Sequence, residues 1–226
     1  MSERLKTMFG QGRFRRWRRL AAGMGALLLA SCAVITPTAP QLYTLTPQQN
    51  IDPATPHANW QLLVEAPVAA AGIDTPRIAV ARTPTSINYF ADVSWADRAP
   101  LMVQGLIVQS LENSRKIVSV GRDTVGLRSD FVLKSELRDF QAEYASPEAA
   151  VPDRVHVRLV AKLVAMPRRT IEAGEIFEAV APVRGQDFSH VVAAFNEALG
   201  TVMTDLVQWT LRRGDAVHSL SAGRAG

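Results

Sequence analysis

Few residues of this 226-residue chain could do chemistry, and most of them stand alone. Its four histidines are His57, His156, His190 and His218. They fall in a proline-rich stretch, on the polar side of an alternating run, near a helix start and close to the end. None has a second His, a Cys or a carboxylate at the four-residue spacing that puts two ligands on one helix face, so the spacing offers no metal site. The stretch Gly121–Gly126, "GRDTVG", has a glycine at each end but no following Lys-Ser/Thr, and reads as a loop and not a phosphate cradle. No GxSxG elbow occurs. Glu172, Glu175 and Glu178 lie in a strand-like run whose two-residue period keeps them off one common face. They read as solvated edge charge and not as an acid/base pair. No catalytic constellation follows, and the chain reads as a non-enzyme.

One stretch does prescribe a reaction. Leu29-Ala30-Ser31-Cys32 places the chain's single cysteine after an aliphatic and two small residues. Ahead of it, Leu20 to Ala30 carries no charge, and Arg13, Arg15, Arg16, Arg18 and Arg19 crowd upstream around Trp17. A spanning helix needs roughly 20 apolar residues, so this run is too short to cross a bilayer but fits a signal-peptide core behind a basic start. The aliphatic–small–small–Cys order is that of a lipobox. Small residues let a signal peptidase approach the backbone, and the thiol becomes the thioether carrying diacylglycerol. We therefore expect residues 1–31 to be removed and Cys32 to become the first residue, with a third acyl chain on its amine. No cofactor beyond this covalent lipid is called for. Each buried CH₂ is worth about 0.8 kcal/mol, and two chains suffice for lasting attachment.

The leader also distorts the charge. The chain carries a net +4, with a pI near 9.6. Residues 1–31 take 7 of the 25 Lys/Arg and 1 of the 21 Asp/Glu, leaving 18 bases against 20 acids, a net −2. A basic surface for nucleic acid is therefore not supported. With one cysteine there is no disulfide framework.

Residues 32–59 contain Pro37, Pro40, Pro47, Pro53 and Pro56 with little apolar periodicity, and read as a lipidated tether with a short strand near Leu42–Leu45. Residues 60–213 alternate between strand and helix patterns, and 214–226 read as a disordered tail. "WQLLVEAP", "RIAVART", "INYFAD" and "KIVSV" are short β-branched or apolar runs. Between the last two, Asp97 is placed to cap a helix, with Pro100 in its first turn and Val103, Leu106, Ile107 and Leu111 on one face. "SDFVLKSELRDFQAEY" and "RVHVRLVAKLVAM" form a long antiparallel hairpin. In the second arm Val155, Val157, Leu159, Ala161, Leu163 and Ala165 alternate with Arg154, His156, Arg158 and Lys162. "TIEAGEIFEAVAPV" adds another strand. Last, Phe188, Val192, Phe195, Leu199, Val202, Leu206 and Trp209 trace a helical stripe that packs on the sheet, with a coiled coil as the alternative. Asp187 is placed to cap that helix, and Arg212 and Arg213 suit its C-terminal dipole. Gly200 inside it costs about 1 kcal/mol against Ala, for which close approach to the sheet would be one compensation. The fold class is α+β: a single domain with a mostly antiparallel or mixed sheet and two helices packed on it.

Tyr89, Phe90 and Trp95 crowd the "SINYFADVSWADRAP" stretch. Aromatic residues at a strand-to-helix junction either seal it or present an anchor to a partner, and both readings stand for Tyr89 and Trp95.

At these residues a resemblance becomes specific. The lipobox, "LYTLTP" (42–47), "PRIAVAR" (76–82), "INYFADVSWAD" (87–97), "SLENS" (110–114), "VLKSELRDF" (132–140) and "AAFNEALGTVMTDLVQW" (193–209) occur in an order that resembles the ABC-type transport auxiliary lipoproteins. That family includes the lipoprotein component of paraquat-inducible intermembrane transport systems. The resemblance implies a non-enzymatic partner of a periplasmic MCE-domain protein and an inner-membrane ABC transporter that together move lipids between membranes. Ala33 follows the cysteine where an Asp would retain an enterobacterial lipoprotein at the inner membrane. The resemblance therefore implies the outer membrane, facing the periplasm, with the periplasmic face of the inner membrane as the alternative. Homo-oligomerisation stays open. A second function class is a lipid-binding shuttle whose Val155–Ala165 face lines an apolar groove.

Overall fold

The computed structural model describes residues 39–123 and 128–225, with side chains as far as Leu220. Cys32 and part of the "GRDTVG" loop lie outside the described residues. Nine strands form one mixed sheet: β1 (Gln41–Tyr43), β2 (Ala58–Val64), β3 (Val68–Ala69), β4 (Arg77–Ala81), β5 (Asn88–Trp95), β6 (Ile117–Arg122), β7 (Phe131–Glu143), β8 (Arg154–Ala165) and β9 (Thr170–Pro182). Two helices, α1 (Ala99–Ser114) and α2 (Phe188–Ala225), complete the domain. The α+β class and the mixed sheet read from the sequence are what the structure has.

The long strand β7 organises the sheet. One edge pairs antiparallel with β8 over nearly its full length, and β8 pairs in turn with β9, which gives the expected long hairpin and one further strand. The other edge takes three strands in succession, all parallel: β2 at Phe131–Leu133, β3 at Glu136–Leu137 and β4 at Gln141–Glu143. The sheet therefore forks on that side. One arm continues from β2 to β6, and the other from β4 through β5 to β1.

Alternation along β8 turns Val155, Val157, Leu159, Ala161 and Leu163 to one face, where all are fully buried beneath α2. Phe195, Leu199, Val202 and Leu206 of α2 are buried as the stripe predicts. The buried stripe is wider than expected, because Ala194, Ala198, Met203, Val207 and Leu211 are buried too. The reason is that α2 contacts α1 as well as β8, β9 and β2.

Three sequence expectations are corrected here. Asp97 does not cap α1. Arg98 holds the cap position with an extended backbone and its guanidinium pairs with Asp74, while the Asp97 carboxylate accepts from the Arg98 amide at 2.7 Å. The ordered domain also begins near Pro40 and not at Trp60. β1 pairs parallel with β5, Leu45 is in the core, and the following residues form a strap across both helices. Thr46 N–H donates to Asn196 Oδ1 of α2 at 2.9 Å, and Gln48 N–H donates to Ser110 Oγ of α1 at 2.9 Å. Asn113 Nδ2 donates to the Gln48 carbonyl at 3.1 Å. These side chains satisfy a proline-rich backbone that has no sheet partner there. Gly200 accordingly lies against the Gln48 amide and not against the sheet.

The third correction concerns the end of the chain. α2 continues through Gly214 to Ala225, so residues 214–225 are helical and Arg212 and Arg213 do not stand at the helix terminus. What carries the helix past Arg213 is packing: Gly214 lies against the buried Trp60 indole, and Val217 packs on the core. Asp187 contributes its carbonyl, which accepts from the His190 amide at 3.0 Å.

Candidate functional site

The β7–β8–β9 meander buries one face under α2 and leaves the other open. On the open face the same two-residue period that buries Val155 and Val157 turns out Arg154, His156 and Arg158. Register then sets acids beside them: Glu143 opposite Arg154, Asp139 opposite Arg158 on β7, and Glu178 opposite Arg158 on β9. The contacts follow. Arg154 Nε donates to Glu143 Oε2 at 2.8 Å, Arg158 donates to Glu178 Oε1 at 2.7 Å, and Arg158 Nε faces Asp139 Oδ2 at 3.3 Å.

His156 sits at the centre, with Nδ1 at 3.1 Å from Glu143 Oε1 and Nε2 at 2.8 Å from Glu178 Oε1. Burial pushes the Glu143 carboxyl up, but hydrogen bonds from Arg154, His156 and Gln141 outweigh it and hold the group below its ordinary value. Glu178 is likewise held low, chiefly by the Arg158 hydrogen bond and then by His156. The cluster thus ties three strands together with ionised carboxylates. It contains no hydroxyl or thiol nucleophile set against a base.

Beside this network Ile176 and Val180 of β9 stand 54% and 53% exposed, and Ile171 is exposed further along. Among the described residues β9 pairs only with β8, so it is an edge strand. Glu172 and Glu175 are exposed on it, in keeping with solvated edge charge, while Glu178 is drawn into the His156 cluster. An open cleft of about 500 Å³ lies between this edge and α2, lined by Glu175, Asp205, Trp209, Arg212 and Arg213.

The two aromatic candidates part company. Trp95 is 1% exposed, with Phe195 edge-on at 5.0 Å and Phe140 at 5.7 Å. It seals the junction between β5, β7 and α2, so its reading as an exposed anchor gives way. Tyr89 is half-buried: its hydroxyl donates to the Gly72 carbonyl at 3.2 Å and the Arg77 guanidinium stacks 3.7 Å from its ring. Cys32 lies outside the described residues. The Val155–Ala165 face, expected to line a groove if the chain were a lipid shuttle, is filled by α2. The His156 cluster was not legible as a site. Its residue types are visible as Arg-x-His-x-Arg on β8, but only the strand register brings Glu143 and Glu178 to the ring.

Fold and site together define a single α+β domain on a forked mixed sheet, with one sheet face covered by helices and the other open and ion-paired. Known proteins share this fold. Residues 43–207 match the family described as the ABC-type transport auxiliary lipoprotein component, and the chain belongs to that family. It is similar to the crystal structure of protein XCC0632 from Xanthomonas campestris, with 35% identity and a TM-score of 0.73 over 79% of this chain and 99% of that one. A second crystal structure, of an uncharacterised protein at 12% identity, has a TM-score of 0.58 over 75% of this chain and 97% of its own, and shares the fold alone. The Bradyrhizobium diazoefficiens protein bll6063 is 30% identical over 173 residues, which span 75% of this chain but 44% of that protein. Among the described residues no helix is long and apolar enough to cross a membrane.

Proposed function

We propose that this chain is a non-enzymatic docking lipoprotein, held by acylated Cys32 at the outer membrane and facing the periplasm. There it engages the MCE-domain protein of an ABC-transporter system that moves lipids between membranes. One observation carries the docking reading. The open face of the meander presents Ile176 and Val180 beside a side-chain network already fixed by ion pairs, so a partner meets rigid side chains and orders little on binding. Family membership supports the transporter, and the aliphatic–small–small–Cys order supports the anchor.

Co-purification tests the docking. Replacing Ile176 and Val180 together by Asp changes two exposed side chains and should leave the fold intact, while recovery of the MCE partner falls at least tenfold. Undiminished recovery would move the partner surface elsewhere. The anchor has its own test: Cys32→Ala should take up no palmitate analogue, and a labelled variant would refute acylation at this residue. Fractionation that places the native protein wholly in the inner membrane would overturn the outer-membrane assignment. Mass spectrometry of a lipid extract checks against the shuttle reading, since a docking subunit copurifies with no stoichiometric lipid beyond its own acyl chains.

A further inference from the structure

The arm that ends the sheet at β1 carries a surface that the docking face does not use. Leu42 is 63% exposed, and its register partner across β5 is Ser94, which is itself paired with Arg77 on β4. These three side chains therefore form a row across three strands on one face. Arg77 stacks on Tyr89, and both Tyr89 and Ile87 lie against Gly72, with Ile87 45% exposed. Ile87 and the Arg77 guanidinium thus lie beside Tyr89, and the exposed Leu42 stands in the same cross-strand row as Arg77. Apolar tips beside a Tyr–Arg pair suit the headgroup layer of a bilayer, where ring and aliphatic atoms enter the acyl boundary and the cation meets phosphate.

Position along the chain names the occupant. Among the described residues β1 is the first strand after the proposed lipid attachment, with Cys32 and Gln41 nine residues apart. Nine residues reach no more than about 32 Å even when fully extended. Tethering at that range raises the local concentration of the bilayer surface to the order of millimolar or above, so a contact far too weak to recruit free protein becomes populated.

We propose that the Leu42–Arg77–Tyr89–Ile87 surface rests on the membrane to which the chain is anchored. This fixes the orientation of the domain, with the β1 arm down and the β2–β6 arm away from the lipid. The inference rests on the Cys32 anchor proposed above.

The single native cysteine is the proposed acylation site, so an introduced one can be labelled uniquely in the lipidated protein. Full-length, lipidated protein carrying Leu42→Cys, Ile87→Cys or the control Val118→Cys on exposed β6 is labelled with an environment-sensitive fluorophore. It is then reconstituted into phosphatidylethanolamine/phosphatidylglycerol vesicles containing brominated acyl chains. The expected result is at least threefold stronger quenching by the brominated lipid at positions 42 and 87 than at 118. Retention on the vesicles after a high-salt wash reports the anchor independently. A chain that washes off overturns both readings. A retained chain with equal quenching at all three positions overturns this one alone. So does a retained chain whose position-42 label is shielded from aqueous iodide without lipid quenching, which would mean that protein covers the surface.

Discussion

The indole of Trp60 fills the space beside Gly214, locking the start of β2 to the last third of α2 with no side chain between them. Trp60 is buried and packs edge-on against Phe131 at 5.0 Å, so the ring has little room to yield. Gly214→Ala therefore sets a helix-propensity gain of about 1 kcal/mol against an overpacking cost of about 1–3 kcal/mol. The rigid ring decides the sign. We expect a lower melting temperature, by several degrees at most, and an unchanged or higher one would show that α2 can shift away from Trp60.

Gly200 gives the opposite expectation. The nearest atoms to a Cβ there belong to the Gln48 side-chain amide, the mobile end of a long side chain. Gly200→Ala should gain up to about 1 kcal/mol from helix propensity, raising the melting temperature by about 2–4 °C. A fall would mean that the strap cannot give.

Trp95 is tested by two measurements on one variant. Trp95→Ala removes a ring held by Phe195 and Phe140 and should cost about 3–5 kcal/mol. The fraction that remains folded should still co-purify with the partner. Normal melting with lost recovery would restore the anchor reading of this residue.

Leu199 is fully covered where α2 meets the core. Leu199→Ala should cost about 2–5 kcal/mol, read as a fall in the denaturation midpoint. No fall would place this part of the helix away from the sheet.

Acid should loosen the meander. Glu143 and Glu178 are held below the ordinary 4.5, so the stabilisation they contribute is complete above that value and is lost as pH falls through their lowered values. Melting followed from about pH 6 down to about pH 3 should show an acid decline that is shallower in Glu143→Gln, which has no carboxylate to protonate at that position. Identical slopes for the two proteins would remove Glu143 from the acid response.

What could be read in the sequence was whatever repeats locally. The alternation at Val155–Ala165 gave β8 and its buried face, and the stripe from Phe188 to Trp209 gave the first part of α2. Pairing across long separations was hidden. Nothing in β2, β3 or β4 reveals that all three share one edge of β7, because that depends on strands more than fifty residues apart. The strap from Thr44 to Gln48 lacks periodicity because side chains of Asn196, Ser110 and Asn113, and not a strand, bond its backbone. Gly214 looks like a stop signal until Trp60 is seen beside it. The His156 cluster fails for the same reason as the fork, since its acids come from two other strands.

The fork of the sheet and the closing helix have a consequence for how the chain is made. β1 finds its partner in β5 and β2 its first partner in β6, but the inner face of β8 is covered by α2, which follows every described strand. A polypeptide delivered amino end first, by ribosome or by export, must therefore carry the β7–β8–β9 meander with its inner face uncovered until α2 follows, although α1 already packs on β2 and β6. Apolar surface held open in that interval is prone to self-association. The full hydrophobic seal forms in one late event, and a chain cut short before α2 would keep its secondary structure signals yet have nothing to close over them.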